Sequence, residues 1–179
     1  LFIIRNIANI VPPYKQSGEY LAAISAIEFA VQALEVENIV VCGHSNCGGC
    51  AALFKPEAYF EKLPHTRKWL ELAAPVKEKV LKILPDGNDA SREWLTEQMN
   101  VVEQIHHLLS FPFIAEKFEK RELTINGWYY IIETGEIFSY NSNEALHLSD
   151  RERQIVLDCF SKIAFELQQN IDKHSKKLI

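Results

Sequence analysis

His44 and Cys47 are the residues whose types and spacing fit a defined chemistry. They lie in the stretch Asn38-Ile39-Val40-Val41-Cys42-Gly43-His44-Ser45-Asn46-Cys47-Gly48-Gly49-Cys50. Zinc takes imidazole nitrogen and thiolate sulfur, and a catalytic zinc commonly has three protein ligands with the fourth position left to water. This His-x-x-Cys supplies two of the three. Such a pair also arises by chance, and cysteine is often no more than a buried apolar residue. Cys47-Gly48-Gly49-Cys50 admits a second reading as a redox pair, because a helix start lowers a thiol pKa. His44, three residues upstream of Cys47, favours metal over redox. Cys50 either packs inside the following helix or stands in as a ligand. Cys42 reads as a buried core residue.

The elements that position the pair follow from the pattern. Ile39 to Val41 is short, β-branched and uninterrupted, which predicts a strand buried on both faces. Cys47 to Phe54 is rich in small and apolar residues and reads as the start of a helix. His44 and Cys47 therefore fall where a parallel strand hands over to a helix, the sheet edge at which α/β proteins bind ligands. Gly43 permits the bend, and Gly48 and Gly49 let backbone N–H groups approach a ligand.

Upstream, Leu1 to Arg5 reads as a central strand, with Arg5, Asn6 and Asn9 in a loop closed by Pro12-Pro13. The polar groups of that loop are expected to bond nearby backbone. Ser17 or Gly18 opens a helix to about Leu34, with Leu21, Ile24, Ile27, Val31 and Leu34 at helical spacing. A helix this apolar should be buried between the sheet and a further surface, such as a second subunit. Residues 56 to 120 read as helical, broken at Leu63-Pro64 and Ala74-Pro75, with Lys77 to Leu84 as a short amphipathic piece. Ser91 is the expected cap of the next helix, and Val101, Val102, Ile105, Leu108 and Leu109 form its apolar stripe. His106 and His107 read as surface or satisfied core histidines. Leu123 to Ile132 reads as the last central strand, with Trp128 and Tyr130 packing, and Ile137 to Tyr140 as its antiparallel hairpin partner. Asp150 to about Lys173 reads as a helix with Ile155, Cys159, Ile163 and Leu167 on one face.

Four stretches, in order, resemble the β-class carbonic anhydrases. Cys42-Gly43-His44-Ser45-Asn46-Cys47-Gly48-Gly49 is similar to that family's zinc motif. Leu1-Phe2-Ile3-Ile4-Arg5-Asn6-Ile7-Ala8-Asn9-Ile10-Val11-Pro12-Pro13-Tyr14 resembles its strand and following loop. Ala26-Ile27-Glu28-Phe29-Ala30-Val31 resembles the helix before the zinc strand, with Phe29 where relatives often carry Tyr. Leu123-Thr124-Ile125-Asn126-Gly127-Trp128-Tyr129-Tyr130 resembles a late strand. The resemblance implies an α/β fold. Its core would be a mostly parallel sheet of about four strands plus an antiparallel edge strand, flanked by helices, in a single domain over residues 1–179.

The resemblance also implies one Zn2+ per chain, held by His44, Cys47 and a third ligand. The family takes that ligand, a Cys, and an Asp-Arg pair from a Cys-x-Asp-x-Arg motif upstream of the first strand. No such motif occurs in this sequence, so the family's N-terminal segment is expected to precede Leu1. The implied reaction is reversible hydration of carbon dioxide to bicarbonate and a proton, by hydroxide made available on the zinc. Phe2, Ile7, Phe29 and Gly48 are implied as the walls of a small, mostly apolar substrate pocket. A homodimer or homotetramer is implied as well. Two alternatives stay open: a carbon disulfide hydrolase using the same site, and a zinc-free scaffold of the same fold.

Composition sets outer bounds. The chain has 179 residues, 47% hydrophobic and 24% charged, with a net charge of −5. These are ordinary values for a globular domain. The acidic balance argues against general nucleic-acid affinity, which needs basic patches for phosphates. No run is long enough for a membrane span. The four cysteines, at 42, 47, 50 and 159, are poorly spaced for a secreted disulfide framework. The cytoplasm is the expected location.

Overall fold

The computed structural model describes residues 1–14, 19–86 and 88–141. The expected helix over 150–173, and Cys159 with it, lies outside the described residues. The element order is α1 (Leu21–Glu28), β1 (Asn38–His44), α2 (Gly48–Ala52), α3 (Pro64–Leu70), α4 (Ala74–Ile83), α5 (Asp89–Leu109), α6 (Pro112–Glu119), β2 (Thr124–Tyr130) and β3 (Ile137–Asn141). The fold is α/β. β1 pairs parallel with β2, and β2 pairs antiparallel with β3, giving the order β1-β2-β3. The hairpin expected after Leu123 is present.

Three expectations are corrected. Leu1 to Arg5 is not a strand: these residues carry no ladder hydrogen bonds and are exposed. An apolar run becomes a central strand only when strands flank it, and among the described residues no strand pairs with this one. β1 is not buried on both faces. Val41 and Gly43 are buried while Val40 and Cys42 are exposed, the period-2 alternation of a strand with one covered face. Cys42 is therefore no core residue; it shares the uncovered face with Trp128 and Tyr130, its own and His44's partners in register.

The covered face explains the core. Ile27 and Val31 from the first helix, Val101, Ile105 and Leu108 from α5, and Val41 and Ile125 from the sheet form one buried cluster. Leu21 and Leu34, expected in the same stripe, are exposed instead. Leu21 is the first residue of the described helix, and Leu34 follows a π-helical turn over Phe29–Ala33, which rotates it away from the 3.6-residue stripe.

α5 starts one turn earlier than a Ser91 cap would place it. Asn88 is the N-cap: its Oδ1 accepts from the Ser91 N–H at 2.9 Å and from the Ser91 hydroxyl at 3.1 Å. Asn88→Ala should cost about 1 kcal/mol, read as a fall of roughly 2–4 °C in Tm. An unchanged Tm would show that the cap contributes nothing.

α4 is pinned to α5 through Glu103. His106, with Nδ1 3.9 Å away, and Lys79, whose Nζ donates at 2.7 Å, hold the Glu103 carboxyl down to about 2. The folded value lies below the ordinary 4.5. The stabilisation is therefore complete above the unfolded pKa and lost as pH falls through the folded one. Lys79 is about half exposed, so screening limits the contribution to about 1–2 kcal/mol. Glu103→Gln should lower stability by that amount at pH 7, and the gap to wild type should close between about pH 5 and 2. A gap independent of pH would contradict this.

Candidate metal centre

β1 ends at His44, and its last side chain sits half-buried at the carboxyl edge of the parallel pair. The ring Nδ1 lies 2.8 Å from the Ser45 carbonyl oxygen. An Nδ1–H donating there leaves Nε2 as the free lone pair. The turn then reverses at Asn46, which takes a left-handed φ of 54°. Cys47 follows in extended conformation as the N-cap of α2 and is buried.

The turn is tied from two sides. The Ser45 hydroxyl donates to Glu133 at 2.8 Å and accepts from the Ile132 N–H at 2.9 Å, and the Asn46 amide also bonds the Glu133 carboxylate. Below the turn, Glu97 Oε1 accepts from the Cys47 N–H at 2.7 Å while its Oε2 accepts from the Tyr129 hydroxyl at 2.7 Å. Burial pushes the Glu97 carboxyl up, and the Tyr129 and Cys47 hydrogen bonds pull it back.

The Cys47 thiol is held down to about 5. The largest cause is a hydrogen bond from the Cys50 side chain, with further help from the Cys50 and Gly49 amides and the His44 imidazole, against the cost of burial. The same contact, together with burial, pushes the Cys50 thiol up. Cys47 is thus a thiolate at neutral pH, the form that metals bind, and Cys50 stays a protonated donor to it. The donor set fits zinc in kind: one imidazole and one thiolate. Among the described residues no third His, Cys, Asp or Glu joins them in a metal-holding group.

The expected pocket residues fall into two contacts. Phe2 and Phe29 meet with ring centroids 6.3 Å apart. Ile7 packs on the turn: its Cγ2 would lie 3.0 Å from a Cβ placed at Gly49, and Ala8 closer still at 2.9 Å. Gly49 has no room for a side chain because the 7–10 loop rests on it. Gly48 has open space, with nothing within 4 Å of where a Cβ would stand. The loop carrying Ile7 is held by α5 and α3. Asn100 Nδ2 donates to the Ala8 carbonyl at 2.7 Å, Gln104 Oε1 accepts from the Val11 N–H at 2.8 Å, and Trp69 Nε1 donates to the Ile7 carbonyl at 2.9 Å. His107 Nδ1 lies 2.7 Å from the Val11 carbonyl oxygen, the satisfied histidine expected.

Glu97, Tyr129, Glu133 and the Asn100–Gln104 pair were not legible as site residues from type and spacing. One signal was available for three of them. Glu97, Asn100 and Gln104 are polar residues interleaved with the apolar stripe of Val101, Ile105 and Leu108, and all three are buried. A polar group on a core-facing helix stripe needs a partner from elsewhere in the chain.

A parallel strand that delivers an imidazole and a thiolate to a glycine-lined turn defines an α/β domain built around a His-x-x-Cys turn. The carbonic anhydrase family profile matches residues 1–137, and the chain belongs to the β-carbonic anhydrase family. A carbonic anhydrase of Helicobacter pylori strain J99 is 41% identical over 145 residues, 79% of this chain and 65% of that protein. One from Synechocystis is 36% identical, over 79% of this chain and 51% of the relative. The β-carbonic anhydrase CcaA superposes with a TM-score of 0.72 at 34% identity, covering 78% of this chain and 61% of that one. The chain thus spans about half to two thirds of the length of these relatives.

Proposed function

We propose that this chain carries part of the zinc site of an enzyme that reversibly hydrates carbon dioxide to bicarbonate and a proton. The observation that carries the reading is the placing of His44 and Cys47 on one turn braced by two carboxylates. Family membership supports the same reading. His44 and Cys47 would hold the metal, with the third protein ligand supplied from outside the described residues. A zinc ion bound there supplies the Lewis acidity that makes water a nucleophile near neutral pH. Gly48 leaves space at the turn for a small molecule. Phe2, Ile7 and Phe29 would give the pocket an apolar lining, which suits an uncharged substrate.

Assembly as a homodimer or homotetramer belongs to the same proposal. Leu1, Phe2, Ile3, Ile4, Leu21, Phe29 and Leu34 are exposed apolar side chains, more than a lone subunit ordinarily leaves to water. A solved relative, from Sordaria macrospora, is described as tetrameric; it is 31% identical with a TM-score of 0.66. Cys42, Cys47 and Cys50 are free thiols, which supports a reducing compartment such as the cytoplasm. No described helix is long and apolar enough to cross a membrane.

The test is stopped-flow carbon dioxide hydration by zinc-loaded protein, with carbon disulfide as the competing substrate. Hydration abolished by chelation supports the proposal. Turnover of carbon disulfide alone would move the assignment to the hydrolase. Failure to take up zinc, with no turnover of either, would leave the zinc-free scaffold.

A further inference from the structure

Glu97 is a carboxylate 3% exposed in the middle of a 21-residue helix, with no cation paired to it among the described residues. Buried acids of this kind are rare and costly unless fully hydrogen-bonded. Both oxygens are in use, one on the Cys47 N–H and the other on the Tyr129 hydroxyl, each at 2.7 Å. The two acceptor oxygens of the carboxylate match the two donors that face it, an N–H and an O–H.

The Cys47 N–H has a specific need for it. Cys47 is the N-cap of α2, so its own N–H points out of the helix ladder. The residue before it sits in the left-handed region, and the Glu133 contact fixes that residue's side chain and not the next peptide. The Ala51 N–H holds the Cys47 carbonyl at 3.0 Å on one side, and Glu97 ties the Asn46–Cys47 peptide on the other. α5 can hold this firmly because its backbone lies hard against β1 at the same point. A Cβ at Gly43 would come within 3.4 Å of the Glu97 carbonyl oxygen.

We propose that Glu97 is a positioning residue for the metal centre: it fixes the Cys47 main chain from α5 and so aims the Cys47 sulfur. The inference rests on the zinc reading above for what the sulfur is aimed at. It rests on the two hydrogen bonds alone for the aiming.

The experiment titrates the full chain with zinc and, separately, cobalt(II), in wild type, Glu97→Leu, Glu97→Gln, Tyr129→Phe and Cys47→Ser. Amide exchange at Cys47 is followed in the metal-free protein. Loss of an outer hydrogen bond to a metal site typically costs about 10–100-fold in affinity. Glu97→Leu should fall in that range and change the cobalt d–d spectrum. Glu97→Gln keeps one neutral oxygen for the Cys47 N–H and should recover most of the affinity, with a smaller spectral change. Tyr129→Phe removes the partner of the other Glu97 oxygen and leaves the Cys47 N–H bond in place, so its metal affinity should fall less than that of Glu97→Leu. The Cys47 amide should be protected in wild type and lose protection in Glu97→Leu.

Wild-type affinity and cobalt spectrum in both Glu97 variants, with only Tm reduced, would overturn the proposal and make Glu97 a plain core tie. If Glu97→Leu does not fold, a wild-type spectrum and affinity in Glu97→Gln overturns it by itself. Metal binding undisturbed in Cys47→Ser strikes the zinc reading instead. In that case, or if wild type takes up no metal, Cys47 amide exchange decides the positioning claim: protection equal in wild type and Glu97 variants overturns it.

Discussion

His44→Ala and Cys47→Ser should each abolish zinc retention in the protein with its complete metal site, and carbon dioxide hydration with it. Each removes a ligand of the proposed zinc site. The loss must therefore exceed the roughly 10–100-fold that follows from losing a hydrogen bond to a ligand. The fold should survive both changes. His44 is only half-buried at a strand end, and serine differs from cysteine by one atom. Elemental analysis after desalting gives zinc per chain, and circular dichroism gives the fold. Cys159→Ser, outside the described residues, should keep its zinc. Retention of zinc and full activity in either ligand variant, or loss of zinc in Cys159→Ser, would sink the ligand assignment.

Gly127→Val should be the most damaging change in the sheet. A Cβ at Gly127 would stand 2.7 Å from Val101 Cγ1, 3.1 Å from Ile105 Cδ1 and 3.3 Å from Tyr140 Cβ. Gly43, on the neighbouring strand, meets the other branch of the same valine at 2.6 Å. Val101 thus sits over two glycines, and their missing side chains let α5 close on the sheet. Val101 and Ile105 are buried in the main core, so they have nowhere to retreat, and overpacking of this kind costs up to about 3 kcal/mol or more. That corresponds to a fall of roughly 6–12 °C in Tm. Since α5 also carries Glu97, Asn100 and Gln104, zinc affinity should fall with it. Gly48→Ala is the contrast: open space surrounds that position, and Tm should stay within about 1 °C of wild type, as for a surface change. Equal stability of wild type and Gly127→Val would show that α5 does not sit as tightly as described.

Much of this was readable in advance, for physical reasons that differ by element. The His44–Cys47 turn was legible because its chemistry is local: a short β-branched strand, a glycine bend and two metal donors in one stretch. The β2–β3 hairpin was legible because a turn-rich segment joined two strand-like runs. Leu1 to Arg5 misled because apolarity reports burial and not pairing, and a strand needs a neighbour. Cys42 misled for a related reason. Residue type cannot say which face of a strand is covered, and here both α1 and α5 contribute to the cluster on the other face. Glu97 and Tyr129 were beyond reach because their partnership joins the middle of a helix to a strand 32 residues away. Nothing in local spacing encodes that meeting.

The most direct measurement is the rate of carbon dioxide hydration as zinc is stripped by a chelator and then returned in known amounts. The account predicts a rate that falls to the uncatalysed background on stripping and recovers in proportion to zinc bound, with no recovery in His44→Ala or Cys47→Ser. A rate indifferent to zinc, or a fully recovered rate in either variant, would contradict it.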